Sequence, residues 1–426
     1  MITSPKLRTN VSWTFTGNVI AALCNWLMVV ALAKLGTSEI VGRFVLGLAI
    51  TSPVILFSKL QLQAIQATDA QHNYLFCDYF GLRLVTLCFA LLIIVGIAFF
   101  RGHDLNLALT IAIIGFGKAI DAVSDVIYGQ LQQQEQMDPI SKSLMMKGVF
   151  SLVLLALAQY LTQNVFWAAV GWSLGSTIVL LFYDLPNGAT ILKRHSYSGD
   201  SLIPRFNFQT LKRLTRLALP LGITMLFISL NINVPRYFVA HYAGEQSLGI
   251  FAALAAVATA GTYVTSALGQ SAAPRLATYW TKDELLAFWK LLSKLMAIAV
   301  LLGVTGVLIS WIAGKALLNF FYQSEYGMHP ELLIWLMIGA GISYLASFFG
   351  YAATAAHAFK LQPLILGMCS AVTIGLCALL VPPYGILGAA WAILFANIVQ
   401  LIFMGVYLAQ SARRGQESEM LDQQSL

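Results

Sequence analysis

The chain has 426 residues, of which 58% are hydrophobic and only 10% charged, and it carries a formal net charge of +7. A mean hydropathy of +0.77 excludes a water-soluble globular protein, whose surface would need far more charge, and points to a polytopic membrane protein. Its cysteines, Cys24, Cys77, Cys88, Cys369 and Cys377, are odd in number, lack a CxxC spacing and lie mostly in apolar runs, so packing is their expected role rather than a disulfide framework or metal site.

Only Lys6 and Arg8 precede the first apolar run, and no small-residue cleavage site follows it; the run is expected to stay in place as the first span. Crossing the hydrocarbon core takes about 20 apolar residues. On that length twelve helices are predicted, at 11–33, 40–62, 80–100, 105–128, 143–161, 165–183, 214–236, 247–270, 291–313, 331–353, 362–381 and 385–409.

The first span carries Asn18 and Asn25 two turns apart, hence on one face. The second ends in FSKLQLQAIQATDAQ, where Lys59, Gln63 and Gln66 share a helical face. The fourth, GFGKAIDAVSDVIYGQ, places Lys118, Asp121 and Asp125 on one narrow face of an otherwise apolar helix. A charge at mid-bilayer costs about 2.5–3.5 kcal/mol on insertion scales, so such residues face a bundle interior or aqueous cavity and pair with one another. Two readings stay open at this point. Lys118 and one of the aspartates form a neutralised pair that ties helices together, or all three line a cavity and meet a polar cargo. The fourth helix then leaves the membrane as GQLQQQEQMDP, and Pro139 is expected to end it.

The long polar stretch from Pro186 to Arg216 alternates Leu211, Leu214 and Leu217 with Lys212, Arg213 and Arg216. That pattern predicts a short basic amphipathic helix on the membrane surface. It also divides the chain into an N-terminal six-helix lobe (1–185), a cytoplasmic inter-lobe linker (186–213), a C-terminal six-helix lobe (214–410) and a cytoplasmic tail (411–426) that is polar and expected to be disordered. In the second half, Asn231, Asn233 and Arg236 lie on the seventh span, and Gln270 and Arg275 close the eighth. For single amides interhelical hydrogen bonding is the competing role, and for Arg236 and Arg275 snorkelling to headgroups. His357, near the inner end of the tenth span, reads as a hydrogen-bonded interface residue.

Orientation follows from Lys and Arg, which favour cytoplasmic loops. With the N-terminus inside, the outer side holds only Lys34, Arg43, Arg101, Arg236 and Lys315, while the segments 193–216 and 275–294 place their basic residues inside. Both termini are therefore expected in the cytoplasm, and the basic balance requires no nucleic-acid partner. A weak internal repeat supports the division into halves. Leu32 onward resembles Val239 onward, with Gly42 matching Gly249, Phe44 matching Phe251 and Gln63 matching Gln270. Both halves start on the same side, so the repeat is expected to be parallel. The expected fold is an all-α polytopic membrane protein, about twelve transmembrane helices in two six-helix lobes around a central cavity. No spacing of Ser, His, Asp or Glu specifies hydrolysis, and no cofactor is implied.

The segments NVSWTFTGNVIAALCNWLMVVALAKLGTSEIVGRFVLGLAITSPV, LQLQAIQATDA and KAIDAVSDVIYGQLQQQEQMDPISKSLMMKG together resemble the polysaccharide-transport family of bacterial oligosaccharide flippases, which includes the Wzx-type O-antigen translocases. The resemblance extends over essentially the whole chain and is strongest at residues 10–150. It implies a transporter, with no covalent chemistry, in the bacterial inner membrane. Such a transporter moves an undecaprenyl-diphosphate-linked oligosaccharide to the periplasmic leaflet by alternating access, for O-antigen, capsule or exopolysaccharide synthesis. Implied partners are that lipid-linked oligosaccharide, membrane lipids and other polysaccharide-assembly membrane proteins. The implied cavity uses Lys118, Arg236 or Arg275 for diphosphate, with Asp121 or Asp125 holding Lys118 or coupling to an ion, and Asn25, Gln63, Gln66, Asn231 and Gln270 among the polar groups for sugar. Relatives often carry Arg where this chain has Gln63 and Gln136, so a cationic role does not carry over to those helix ends. A drug or metabolite exporter of the same superfamily is the nearest alternative. A membrane polymerase or ligase of the same pathway is disfavoured by the short predicted outer loops.

Overall fold

The computed structural model describes residues 7–69, 71–100, 102, 104–194, 201–282, 284–355 and 362–424. Lys6, Arg101, His357 and Lys360 lie outside them. The described residues form helices and their connections: α1 (Leu7–Leu35), α2 (Ser38–Lys59), α3 (Leu62–Thr68), α4 (Phe76–Phe100), α5 (Leu105–Gln133), α6 (Met137–Thr162), α7 (Val165–Val179), α8 (Leu185–Arg194), α9 (Phe208–Ala258), α10 (Ala260–Thr281), α11 (Leu285–Phe321), α12 (Pro330–Ala355) and α13 (Gln362–Gln424).

Each predicted apolar run overlaps a helix, but hydropathy does not set the ends. Caps do: Thr37 accepts from the Ile40 N–H and starts α2, and Asn164 accepts from the Phe166 N–H and starts α7. Pro139 does not end the fourth predicted span. α5 stops at Gln133, the chain turns through Glu135 at φ 56, and Pro139 sits in the first turn of α6, where a missing N–H costs nothing. The tail expected to be disordered continues α13 to Gln424. Glu, Met, Leu and Gln are good helix formers, and extending an existing helix needs no new nucleus.

Among the described residues ten segments are long and apolar enough to cross a membrane. Two reach the length of a double crossing: Phe208–Thr281 has 74 residues and Leu364–Leu408 has 45. At about 1.5 Å per residue against a core about 30 Å thick, each is long enough for two passes. Each also holds a non-helical glycine, Gly244 (φ 84) in α9 and Gly385 (φ 55) in α13, a backbone conformation that glycine adopts without strain. Exposed apolar side chains such as Phe100, Leu92, Trp311, Ile312 and Leu379 cover the outside, as lipid contact requires.

The chain forms two compact units, Met1–Asn233 with Glu245–Gly249, and Val234–Gly244 with Ile250–Leu426. In the first, α1 packs along α6, α6 along α7, and α5 meets α2, α3, α4 and α7. Its inner core joins Leu60, Phe76, Tyr79, Val126 and Ile127 to Leu214 and Ala218. The stretch predicted as a surface helix is thus the start of α9, with Leu211 and Leu214 turned into this core. In the second unit α12 packs against α10, α11 and α13 around Leu276, Phe288, Phe348 and Leu408. There the Tyr322 and Tyr344 hydroxyls donate to the carbonyls of Ala253 and Ala258, at 3.0 and 2.7 Å.

Within the first unit, Ser38 and Gly42 of α2 cross Glu245 and Gly249 reciprocally. A β-carbon on Gly42 would overlap the Glu245 carbonyl, and one on Gly249 would overlap the Ser38 carbonyl. Arg43 secures the crossing through ion pairs to Glu245 at 2.6 Å, Glu39 at 3.0 Å and Asp104 at 3.4 Å.

Candidate functional site

Inside the first unit lies a cavity of about 250 Å³, lined among others by Asn25, Lys59, Asp121, Asp125, Tyr128, Lys147, Ser151, Trp172 and Ser176. α5 supplies its acids. Asp121 and Asp125 are one helical turn apart and so face the same way, and each meets a lysine from another helix. Lys59, the last residue of α2, reaches Asp125 at 2.7 Å, and Lys147, ten residues into α6, reaches Asp121 at 3.5 Å.

Lys147 is the hub. It also pairs with Asp184 at 3.1 Å, donates to the Ser124 hydroxyl and lies 5.3 Å from the centre of the Tyr128 ring. Asp184 ends a π-helical turn, Leu180–Asp184, between α7 and α8; the extra residue in such a turn re-aims a side chain. Tyr128 shares a 2.6 Å hydrogen bond with Ser143 and donates to Asp184. The cavity wall therefore holds opposite charges already paired, beside neutral hydroxyls, an amide and an indole. Trp172 is braced edge-on by Phe44, centroids 6.2 Å apart, and packed against Gly117.

Of the residues expected from sequence, Asn25, Asp121 and Asp125 line this cavity. Lys118 is not among the residues that line it. Its side chain turns to α2, where it donates to the Leu48 carbonyl at 3.1 Å and to the Ser52 hydroxyl, because α2 packs directly on that stretch of α5. Gln63 and Gln66 bond to Gln132 and Gln130 and tie α3 to α5. Asn231 sits on α9 outside the cavity, and Arg236, Gln270 and Arg275 belong to the second unit. The sequence pattern does not single out Lys147, Tyr128, Trp172 or Asp184, whereas Lys59 stands on the face it shares with Gln63 and Gln66. The available signal was Lys147 with Ser151 one turn later, a polar pair inside an apolar run. Arg83 of α4 is 1% exposed and donates to the Ser58 carbonyl.

Beyond the C-terminal end of α3, Asp69 organises the loop to α4. Partial burial pushes its carboxyl pKa up, but the Asn73 and Tyr74 N–H groups, the Asn73 amide and the Tyr79 hydroxyl more than compensate and hold it below the usual carboxylate range. Gln133 of α5 donates to the Asp69 carbonyl at 2.8 Å. A depressed carboxyl contributes stability that is complete above its unfolded pKa and lost as pH falls through the lower folded one. Hydrogen exchange at residues 71–75 should therefore accelerate only below the ordinary carboxylate range. Asp69→Asn should show that fast exchange already at neutral pH; equal protection in both proteins at pH 7 would reject the account.

A family model described as "Polysaccharide biosynthesis protein" matches residues 7–280. The chain is 27% identical over 401 residues to the capsular polysaccharide biosynthesis protein CapF of Staphylococcus aureus, covering 92% of this chain and 97% of that one. Among solved structures it is similar to an inward-facing multidrug-resistance MATE family transporter of the MOP superfamily, with a TM-score of 0.72, 14% identity and coverage of 92% and 96%. It is equally similar to the lipid II flippase MurJ in an inward closed conformation, at 0.72, 13% identity and coverage of 92% and 86%. At these identities the structural likeness establishes a shared fold.

Proposed function

The chain belongs to the polysaccharide biosynthesis protein family, whose model spans well over half of it, and from that premise we propose that it is a flippase for undecaprenyl-diphosphate-linked oligosaccharide. It carries the cargo from the cytoplasmic to the periplasmic leaflet of the bacterial inner membrane by alternating access, with twelve spans in two lobes and both termini in the cytoplasm. The observation that carries this reading is a polar cavity with both lysines and aspartates in its wall, lined from helices long and apolar enough to cross a membrane. A sugar chain that leaves water needs hydrogen-bond partners for its hydroxyls, while its lipid can remain in the bilayer. Asn25, Ser151 and Ser176 supply such partners, and the Trp172 indole offers a flat apolar face to a pyranose ring. Lys59 and Lys147 meet the diphosphate once it competes with Asp125 and Asp121 for them. This exchange of one anion for another keeps the buried charge balanced throughout.

The test is to delete the gene in its host and locate the lipid-linked oligosaccharide, returning wild-type and Trp172→Ala copies in parallel. Complete repeat units should accumulate on the cytoplasmic leaflet. The variant should restore transport at a rate about three- to tenfold below wild type, the scale of one lost aromatic contact. Units that reach the periplasm unpolymerised would reject the flippase reading in favour of a later enzymatic step. Normal surface polysaccharide together with lost export of lipophilic cations would mark a drug exporter.

A further inference from the structure

Residues 201–207 form a strap across the first turn of α4. The Arg205 N–H donates to the Cys77 carbonyl at 3.0 Å, and its guanidinium pairs with Asp78 at 3.1 Å. The strap lies so close that a β-carbon on Gly81 would overlap the Arg205 carbonyl. Leu202 packs against the inner core, yet its neighbours point away from it: Ile203, Phe206 and Phe208 are 75%, 60% and 78% exposed. Asn207 then caps α9 by accepting from the Gln209 and Thr210 N–H groups. On the first turns of α9, Leu211, Leu214 and Ala218 face the core, while Lys212, Arg213 and Arg216 are exposed on the other side. Immediately beyond them the exposed surface becomes apolar, with Leu217, Leu219, Leu221 and Ile223. No acidic residue occurs between 201 and 244.

This order, a rigidly held apolar strap, then three cations, then lipid-facing aliphatics, is the order of a membrane boundary crossed from the headgroups inward. We propose that residues 203–216 form an interfacial anchor that selectively binds anionic phospholipid headgroups. Phe206, Phe208 and Ile203 enter the interfacial layer, and Lys212, Arg213 and Arg216 neutralise lipid phosphates. The strap is pinned to α4 by its own backbone, so the aromatic side chains are presented without an ordering penalty at binding. The inference does not depend on the transported cargo.

The experiment uses the full chain in neutral detergent and measures bound lipid by native mass spectrometry after addition of phosphatidylglycerol or phosphatidylcholine. Wild type should retain phosphatidylglycerol at least about tenfold better, since each cation at an anionic surface adds about a fivefold preference. The Lys212→Gln, Arg213→Gln, Arg216→Gln triple variant changes only exposed side chains and should lose that selectivity, and Phe206→Ser with Phe208→Ser should weaken retention of both lipids. Lys290→Gln with Lys294→Gln, which removes exposed charge from the start of α11, should bind like wild type. Equal retention of the two lipids by wild type would overturn the proposal, as would unchanged selectivity in the triple variant. Displacement of the lipid by glycerol phosphate alone would also overturn it, since the site would then recognise a free anion.

Discussion

Lys147→Ala is expected to lose about 3–5 kcal/mol of stability, the cost of breaking a buried ion pair by removing one partner. That is a large share of the roughly 5–15 kcal/mol that separates folded from unfolded states. Lys147 is 8% exposed and Asp184 2%, so without the ammonium Asp184 stays as a buried charge whose other neighbour is the Tyr128 hydroxyl, at 3.5 Å. Adding Asp184→Asn removes that charge and should recover most of the stability. Asp121, with a side chain 35% exposed, tolerates the loss better. Transport should not recover in the double variant, because Lys147 is also the more buried of the cavity's two lysines. Lys59→Ala should cost less, since Lys59 and Asp125 are 24% and 20% exposed and keep part of their hydration. Thermal unfolding of the purified variants in detergent measures all three. An unfolding midpoint for Lys147→Ala within a degree or two of wild type would show that the cluster is not under this electrostatic load.

Half of that cluster can be read in the sequence and half cannot. Asp121 and Asp125 interrupt an apolar run, and an intramembrane carboxylate has few harmless explanations. Lys59 and Lys147 look harmless, because a lysine near the cytoplasmic end of a span is what the charge rule leads one to expect. Only packing shows that Lys147 points inward, toward acids that lie 26 residues before it (Asp121) and 37 after it (Asp184) in the chain. Asp184 itself falls one residue past the predicted sixth span, and no residue pattern announces the π turn that aims it. Lys118 misleads in the opposite sense: it shares the α5 stripe with the two aspartates, but a four-carbon side chain can reach a carbonyl and hydroxyl on α2 from there, and helical phase says nothing about where its end goes. Helix ends escape the pattern for a related reason: hydropathy reports where lipid is, whereas caps and propensity decide where a helix stops, as at Gln133.

The repeat offers the sharpest test, since it relates positions that turn out to touch. The offset that pairs Gly42 with Gly249 also pairs Ser38 with Glu245, and in the structure Gly42 rests on the Glu245 carbonyl while Gly249 rests on the Ser38 carbonyl. Reciprocal contact of equivalent positions is the signature of a local twofold, as in an isologous interface. Such a crossing demands small residues on both sides, because the obstacle to a side chain is backbone on both, and backbone cannot rotate away as a side-chain tip would. Gly42→Ala and Gly249→Ala should therefore be destabilising by similar amounts, about 1–3 kcal/mol each as overpacking, and a valine at either position should cost more. Gly96→Ala in α4, whose added carbon meets nothing within 4 Å, should be neutral or stabilising by up to about 1 kcal/mol from helix propensity alone. Combining Gly42→Ala with Gly249→Ala should cost less than the sum, because the first substitution already separates the backbones that the second would strike. Unfolding midpoints for the four proteins decide the matter. A tolerated alanine at one glycine with a damaging one at the other would mean that the two segments are in contact without being equivalent.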